Sequence, residues 1–143
     1  MKSAYDLTRF KKAHEFAYSH ALAEIKKGRK RTHWMWYIFP QISGLGSSPT
    51  SRHYAISDLE EAEAFLADPY LGGNLREITS ALLSLDTNDP YAVFGEIDGM
   101  KLISCMTLFS YATEDNGVFL AVLDKYYGGR KDNLTEAILL KNQ

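Results

Sequence analysis

The chain has 143 residues, a hydrophobic content of 45%, a charged content of 24% and a formal net charge of -2. This length fits one domain spanning residues 1–143, and the small net charge means that any attraction to polyanions must be local. The single cysteine, Cys105, excludes an internal disulfide and a cysteine-rich zinc site.

The first segment, "MKSAYDLTRFKKAHEF", lacks the apolar core of a signal peptide. No apolar run approaches the roughly 18 residues of a membrane helix, so we expect a cytoplasmic protein with no membrane partner. Apolar residues at helical spacing from Asp6 to Lys27 predict an amphipathic helix that ends at Gly28. Thr32 is then predicted to cap a short aromatic helix, "HWMWYIF", which ends before Pro40.

Further helix signals follow the glycine-containing loop "QISGLGSS". Ser48 followed by Pro49 predicts the start of a short helix, and Ser57 with Glu60 forms a capping-box pattern that opens another. A long helix with one apolar face is predicted after that one ends near Asp68. Its apolar positions are Leu71, Leu75, Ile78, Leu82 and Leu85.

The last third of the chain also has helical spacing. Asp89 opens a short segment that Gly95 ends, and a further helix follows Asp98. The next helix stops at the glycine pair 128–129, and Asp132 is predicted to cap the last one. Without an alternating strand, repeat or linker, the sequence predicts an all-α, single compact domain of about seven helices.

The chain resembles the bacterial domain-of-unknown-function 1810 family in the segments "DLTRF", "GRKRTHWMWYIFPQISGLG", "YAI", "LGGNLREITSALLSL", "FGEIDGMKLISCMTLF" and "VLDKYYGG". The resemblance spans nearly the whole chain in consistent order, and its histidine-tryptophan-x-tryptophan core is specific. It implies an all-helical fold, and it transfers no activity and no catalytic residue. Some members carry a calpastatin-like label, which this sequence does not support because such inhibitors are long, repetitive and disordered.

A basic run and a glycine loop form the first candidate site. Five cations lie within positions 26–31, where they either complement the C-terminal end of a helix dipole or attract an anion. Two glycines would let successive backbone N–H groups form an anion nest beside a helix start. We hypothesise a phosphate or carboxylate site formed by Arg29, Arg31, Gly44, Gly46, Ser48 and Arg52. The loop lacks a dinucleotide or P-loop fingerprint, and we predict no cofactor.

The aromatic segment presents the choice between core and ligand surface. Trp34 is expected in the core together with Ile38, four residues on. Trp34, Trp36 and Tyr37 point in different directions around one short helix, so they cannot all face one core. At least one of Trp36 and Tyr37 should therefore line a groove. An indole beside cations suits a nucleobase or another planar ligand. The predicted polar wall around Trp36 consists of His33, Gln41, Tyr54 and Lys101.

Catalytic candidates are few. His33 would act as an acid or base or serve a structural role, and Lys101 with Ser104 forms either a base–nucleophile pair or an ordinary surface pair. Cys105 shares a face with apolar residues and is predicted to be a buried small hydrophobe. The four histidines show no metal-ligand spacing, so we predict no metal site.

Two hypotheses of function follow. In the first, a pocket around the basic-aromatic segment binds a phosphate-containing planar molecule such as a nucleotide or ADP-ribose derivative. If the protein is an enzyme, it also acts on that molecule. The alternative is a non-enzymatic module that contacts an acidic protein or RNA through the same surface. The negative net charge disfavours broad nucleic-acid binding. A concave pocket at Trp36 would favour the first hypothesis and a flat exposed patch the second.

Overall fold

The computed structural model describes residues 5–141, which form eight helices. They are α1 (Thr8–Lys26), α2 (Met35–Ile38), α3 (Pro49–Tyr54), α4 (Leu59–Ala67), α5 (Pro69–Leu83), α6 (Pro90–Tyr111), α7 (Gly117–Tyr127) and α8 (Asn133–Lys141). Within this range the only β pairing is an isolated parallel bridge between Ile42 and Ile56. The predicted all-α architecture is confirmed.

Two long helices, α5 and α6, organise the core. α5 packs against α1, α4 and α7, whereas α6 packs against α4, α7 and α8. Leu71, Leu75, Ile78 and Leu82 of α5 are completely buried, as their spacing predicts. Leu85, predicted on the same face, instead lies beyond the end of α5 and is half-buried. Each such side chain stabilises the fold by about 1.5–3 kcal/mol relative to an exposed one, so the apolar face of α5 anchors the bundle.

Three predicted helix starts are confirmed by their capping hydrogen bonds. The Ser48 hydroxyl accepts a hydrogen bond from the Ser51 N–H at 3.1 Å, at the start of α3. The Asp89 carboxylate accepts one from the Tyr91 N–H at 2.9 Å, and Asp132 accepts one from the Thr135 N–H at 3.2 Å. Each side chain satisfies an N–H group that the first helical turn would otherwise leave unpaired.

The predicted capping box of Ser57 and Glu60 is wrong by one residue. Asp58 caps α4 instead, accepting a hydrogen bond from the Glu61 N–H at 2.9 Å. The Glu61 carboxylate accepts the Ser57 N–H at 2.7 Å and pairs with the Arg9 guanidinium of α1 at 3.3 Å. Glu61 is buried, and its carboxylate is compensated by the Arg9 guanidinium and the Ser57 N–H, while Asp58 supplies the cap.

The predicted cap by Thr32 is also wrong. α2 begins at Met35 and has no side-chain cap. The Thr32 hydroxyl donates to the Glu24 carboxylate of α1 at 2.6 Å, and the Thr32 N–H donates to the same carboxylate at 3.0 Å. A charged acceptor forms stronger hydrogen bonds than a backbone amide can offer, so Thr32 belongs to the α1–α2 turn rather than to α2.

Gly95 breaks α6 near its start, as predicted for the end of a short segment. Its φ of 81° and ψ of 175° lie outside the helical region and are accessible to glycine at little cost. The residues before the break turn away from the axis of the longer part of α6. The Val93 carbonyl accepts a hydrogen bond from the Lys30 N–H at 2.7 Å, which joins the first part of α6 to the basic run.

Two properties of the described residues bear on function. Within residues 5–141 no helix combines the length and apolar character that crossing a membrane requires. The same range contains no group of three or more His, Cys, Asp or Glu side chains arranged to hold a metal ion.

Replacing Gly72 of α5 with alanine is expected to destabilise the protein by about 1–3 kcal/mol, because the new Cβ would collide with the Leu66 carbonyl of α4. The neighbouring Gly73→Ala change is the matched control. A Cβ at Gly73 meets no atom within 4 Å, and alanine there should stabilise the helix by about 0.5–1 kcal/mol. Urea denaturation of both variants measures the difference, and equal midpoints would contradict the close α4–α5 contact.

Candidate functional site

In the aromatic segment formed by Trp34 and α2, some side chains lie in the core and others line surface depressions. Trp34 and Ile38 are both completely buried, which confirms the prediction that they share the core. Trp36 and Tyr37 are half-buried. The Trp36 side chain lines two adjoining clefts, and Tyr37 lines a separate groove beside α1. Trp36 and Tyr37, of which at least one was expected outside the core, therefore both face concave surfaces.

Glu24 of α1 holds this segment in place. Its carboxylate accepts hydrogen bonds from the Arg31 N–H at 2.7 Å and from the Trp34 indole N–H at 3.0 Å, besides those from Thr32. Burial acts to raise the pKa of Glu24, but the hydrogen bonds outweigh it and lower that pKa to about 2. The carboxylate is therefore ionised at neutral pH, which fixes the turn that leads into α2.

The smaller of the two depressions, which we call the inner cleft, has a volume of about 20 Å³. It brings together five predicted site residues: Trp36, Gln41, Gly46, Tyr54 and Lys101. Backbone hydrogen bonds from the Ile56 N–H to the Gln41 carbonyl, 2.8 Å, and from the Ser43 N–H to the Ile56 carbonyl, 2.7 Å, hold the loop in place. The volume suits a water molecule or a small substituent rather than a whole ligand.

The larger depression, the outer cleft, has a volume of about 500 Å³. Met35, Trp36 and Lys101 line both clefts and form the boundary between them. The other lining residues are Lys30, His33, Phe94, Gly95, Glu96, Ile97 and Asp98. A space of this size lies within the range of small-molecule sites.

Two lysines and the carboxylates of Glu96 and Asp98 set the charge of the outer cleft. The Asp98 carboxylate lies 2.9 Å from the Lys30 ammonium and 3.8 Å from the Lys101 ammonium. The Lys30 side chain is only 7% exposed and also donates to the Thr32 carbonyl at 2.5 Å. Lys101 is 28% exposed, and its ammonium lies 5.8 Å from the Trp36 ring centre. Lys101 is therefore the cation that a ligand on Trp36 would meet.

The glycine loop has a different geometry from the predicted anion nest. Gly44 has a φ of 108°, and a Cβ there would touch Ile138 of α8, whereas Gly46 does not have a positive φ. Glycine at position 46 permits close contact with Ser51, since a Cβ would collide with that side chain. Ser48 uses its hydroxyl to cap α3. Of these loop residues, Gly46 lines the inner cleft, whereas Gly44 and Ser48 line neither cleft.

The three candidate arginines lie outside both clefts. Arg29, Arg31 and Arg52 are exposed, and none of them lines either depression. Within residues 5–141 none of the three forms an ion pair. His33, which we expected in the first turn of the aromatic helix, instead precedes α2 and lines the outer cleft as an exposed residue.

The candidate pair of Lys101 and Ser104 is divided between two environments. Lys101 faces the clefts, while the buried Ser104 hydroxyl donates to the Asp132 carboxylate at 2.8 Å and so ties α6 to the start of α8. The following residue, Cys105, is completely buried, as predicted. Burial raises the pKa of its thiol well above the ordinary value and keeps the sulfur protonated.

A family model described as "Protein of unknown function (DUF1810)" matches residues 4–139. The chain belongs to the DUF1810 family. It is similar to the crystal structure of the conserved hypothetical protein Rv1873 from Mycobacterium tuberculosis, with 46% identity and a TM-score of 0.94. That similarity covers 96% of this chain and 99% of the other. No curated protein matches the chain.

In this member of the DUF1810 family, sequence reasoning missed most of the outer cleft. Phe94, Glu96, Ile97 and Asp98 line it, yet none of them was a candidate. The signal that pointed to them was Gly95, which ends one helical segment and begins another. At a helix break, backbone groups and side chains that do not pack in the helix can line a cavity. A predicted break near an aromatic segment therefore indicates a candidate ligand site.

Proposed function

We propose that this DUF1810 protein binds a planar, anionic small molecule in the outer cleft, with a nucleotide or an ADP-ribose derivative as the ligand class. The observation that carries the proposal is that Trp36 and Lys101 line both the outer cleft and the adjoining inner cleft, where Gln41 and Tyr54 join them. These residues come from α2, the following loop, α3 and α6. A half-buried indole in a concave site supports a ligand pocket over a flat interaction patch.

In this proposal the flat ring of the ligand stacks on the Trp36 indole. Lys101 lies close enough to pair with an anionic group attached to that ring, and its ion pair with Asp98 is long at 3.8 Å. Burial of the indole and lysine away from water would strengthen both interactions. The inner cleft, about 20 Å³, would receive a small substituent of the ring beside Gln41 and Tyr54.

The charge balance of the outer cleft narrows the ligand class. Lys30 and Lys101 are offset by Glu96 and Asp98, so the lining carries no excess of cations. A polyphosphate would meet unfavourable carboxylates there. A ligand with one or two phosphates and several hydroxyls fits better, since carboxylates accept hydrogen bonds from hydroxyl groups. The anion partner in this proposal is Lys101 rather than the arginines expected from the sequence.

Tryptophan fluorescence provides the test, because the chain has two tryptophans in different environments. AMP, ADP-ribose, ribose 5-phosphate and inorganic phosphate would each be titrated into the protein. We expect the nucleotide ligands to change the fluorescence of Trp36, while the buried Trp34 acts as an internal reference. A hundredfold excess over Kd should also stabilise the fold by about 2.7 kcal/mol in a thermal-shift assay.

Two variants locate the ligand. Trp36→Leu should weaken nucleotide binding about 5- to 150-fold, the range for loss of one stacked base. Lys101→Gln should weaken binding of the phosphate-bearing ligands and leave binding of adenosine, titrated for comparison, unaffected. Arg52→Gln is the matched charge control, since Arg52 lines neither cleft. Ligand binding that survives both cleft substitutions, or no response to any nucleotide, would refute the proposal.

A further inference from the structure

One face of α1 is exposed along the whole helix, and we call it the α1 strip. Its residues follow helical spacing: Lys12, Glu15, Phe16, Ser19, His20, Ala23, Lys26 and Lys27. Phe16, near the middle, is 81% exposed, the highest value for a large hydrophobic side chain among residues 5–141. A phenyl ring this exposed adds almost nothing to the core, and its whole face is accessible to a binding partner.

The cations of the α1 strip lack acidic partners. Lys12 lies one turn before Phe16, and Lys26 and Lys27 lie at the end of the helix. No ion pair engages any of these three lysines within the described residues. Glu24, the nearest carboxylate to the two terminal lysines in sequence, is occupied by the α1–α2 turn. The strip therefore offers three unpaired lysines, one before Phe16 and two at the end of the helix, against one carboxylate, Glu15.

A groove of about 520 Å³ adjoins the strip between α1 and α3, and we call it the ring groove. It is lined by Thr8, Arg9, Lys12, Ala13, Phe16, Tyr37, His53 and Tyr54. Four of these residues carry rings and none is acidic; of the two cations, Arg9 pairs with Glu61 at 3.3 Å, whereas Lys12 forms no ion pair within the described residues. The Tyr54 ring lies 5.0 Å from Tyr37 and 4.6 Å from His53. Rings and positive charge are thus continuous from the α1 strip into the groove.

We propose that the α1 strip and the ring groove bind single-stranded nucleic acid. Aromatic side chains stack on bases regardless of sequence, and lysines neutralise the phosphates between them. Lys27 lies fifteen positions after Lys12, a distance of about 22 Å at 1.5 Å per position, which is enough for several nucleotides. The net charge of -2 does not oppose this, because the interaction depends on the local charge of one face.

An acidic peptide is the competing occupant, and the rings argue against it. Carboxylate side chains would pair with the lysines but would make no use of the exposed rings of Phe16 and His53. Every nucleobase presents a flat face, so a row of rings beside cations matches a chain of alternating bases and phosphates. The ring groove shares no lining residue with the outer cleft, although Tyr54 lines both the ring groove and the inner cleft.

Fluorescence anisotropy with labelled oligouridylate and oligothymidylate of about ten nucleotides tests the proposal. Phe16→Ala should weaken binding about 5- to 150-fold. The matched control is Leu134→Ala, which removes a side chain 66% exposed on α8 and should leave binding unchanged. Lys12→Gln and Lys26→Gln should each reduce the slope of log K against log salt by about 0.7, whereas Lys141→Gln should not.

Because all these side chains are exposed, circular dichroism and thermal midpoints should match the wild-type protein. The comparison of the two oligonucleotides identifies RNA or DNA as the preferred strand, and either preference supports the proposal. No binding at about 0.15 M salt, or equal binding by Phe16→Ala, would overturn it. Binding of polyglutamate in place of both oligonucleotides would overturn it as well, in favour of an acidic protein partner.

Discussion

Trp34→Ala is expected to lower the free energy of unfolding by about 3–5 kcal/mol. The Trp34 side chain is completely buried and its ring packs against Phe39 and Phe94, with centroids 6.1 and 6.4 Å away. Its indole N–H also donates to Glu24 at 3.0 Å, so truncation leaves a cavity and removes one partner of a charged acceptor. Urea denaturation at neutral pH measures the loss.

The matched control for Trp34→Ala is Trp36→Ala, two residues along the same segment. Trp36 is half-buried and lines the clefts, so its loss should cost distinctly less stability. A Trp34→Ala protein with the wild-type denaturation midpoint would show that the indole is not a core element. If the two variants were equally destabilised, the division of α2 between core and clefts would be wrong.

Acidification from pH 6.5 to pH 4 is expected to cost about 3 kcal/mol of stability through His14 alone. Burial lowers the pKa of His14 from 6.5 to about 4, although its hydrogen bond to the Tyr37 carbonyl and the charge of Asp68 act in the opposite direction. One ring nitrogen lies 2.8 Å from that carbonyl, and the other lies 3.1 Å from the Asn74 amide. Donation to the carbonyl and acceptance from the amide together define a neutral imidazole.

The direction of the stability change with pH depends on whether the folded or the unfolded state takes up the proton. Above pH 6.5 the imidazole is neutral in both states, and His14 adds no pH dependence. Between pH 6.5 and pH 4 the unfolded chain binds a proton that the folded protein excludes, so stability falls as the pH falls. Below pH 4 both states are protonated and the loss stays constant.

Denaturation midpoints of wild type, His14→Gln and His20→Gln between pH 4 and pH 7 measure this effect. His14→Gln should be less stable at neutral pH but should lose the His14 part of the pH slope. His20→Gln retains the buried imidazole and should retain the slope. A wild-type slope in the His14→Gln protein would contradict the assignment.

Much of the helical structure could be predicted because its causes are local. The burial of α5 follows from apolar residues three and four positions apart, and the starts of α3, α6 and α8 follow from a polar side chain within three residues of the N–H that it binds. Gly95 ends a helical segment because glycine, which has no Cβ, adopts a positive φ at little cost. Each of these features depends on only a few neighbouring residues.

Two caps were predicted wrongly, and at both helix starts a distant residue binds a nearby polar side chain. Glu24, eight residues before Thr32, binds the hydroxyl that was expected to cap α2. Arg9, fifty-two residues before Glu61, pairs with that carboxylate and favours Asp58 as the cap of α4. A short sequence window contains the capping pattern but not the charged partner that overrides it.

The sequence by itself determined the all-α class and most helix limits. It also determined the burial of Trp34 and Cys105 and showed that a ring of the aromatic segment must face a groove. Only the tertiary structure decided which side chains surround Trp36. Lys101, sixty-five positions away, lines the clefts while Arg29, Arg31 and Arg52 do not. The reason is physical: which cation reaches the indole depends on how α6 packs after its break at Gly95, and that packing depends on the whole core rather than on the residues near Trp36.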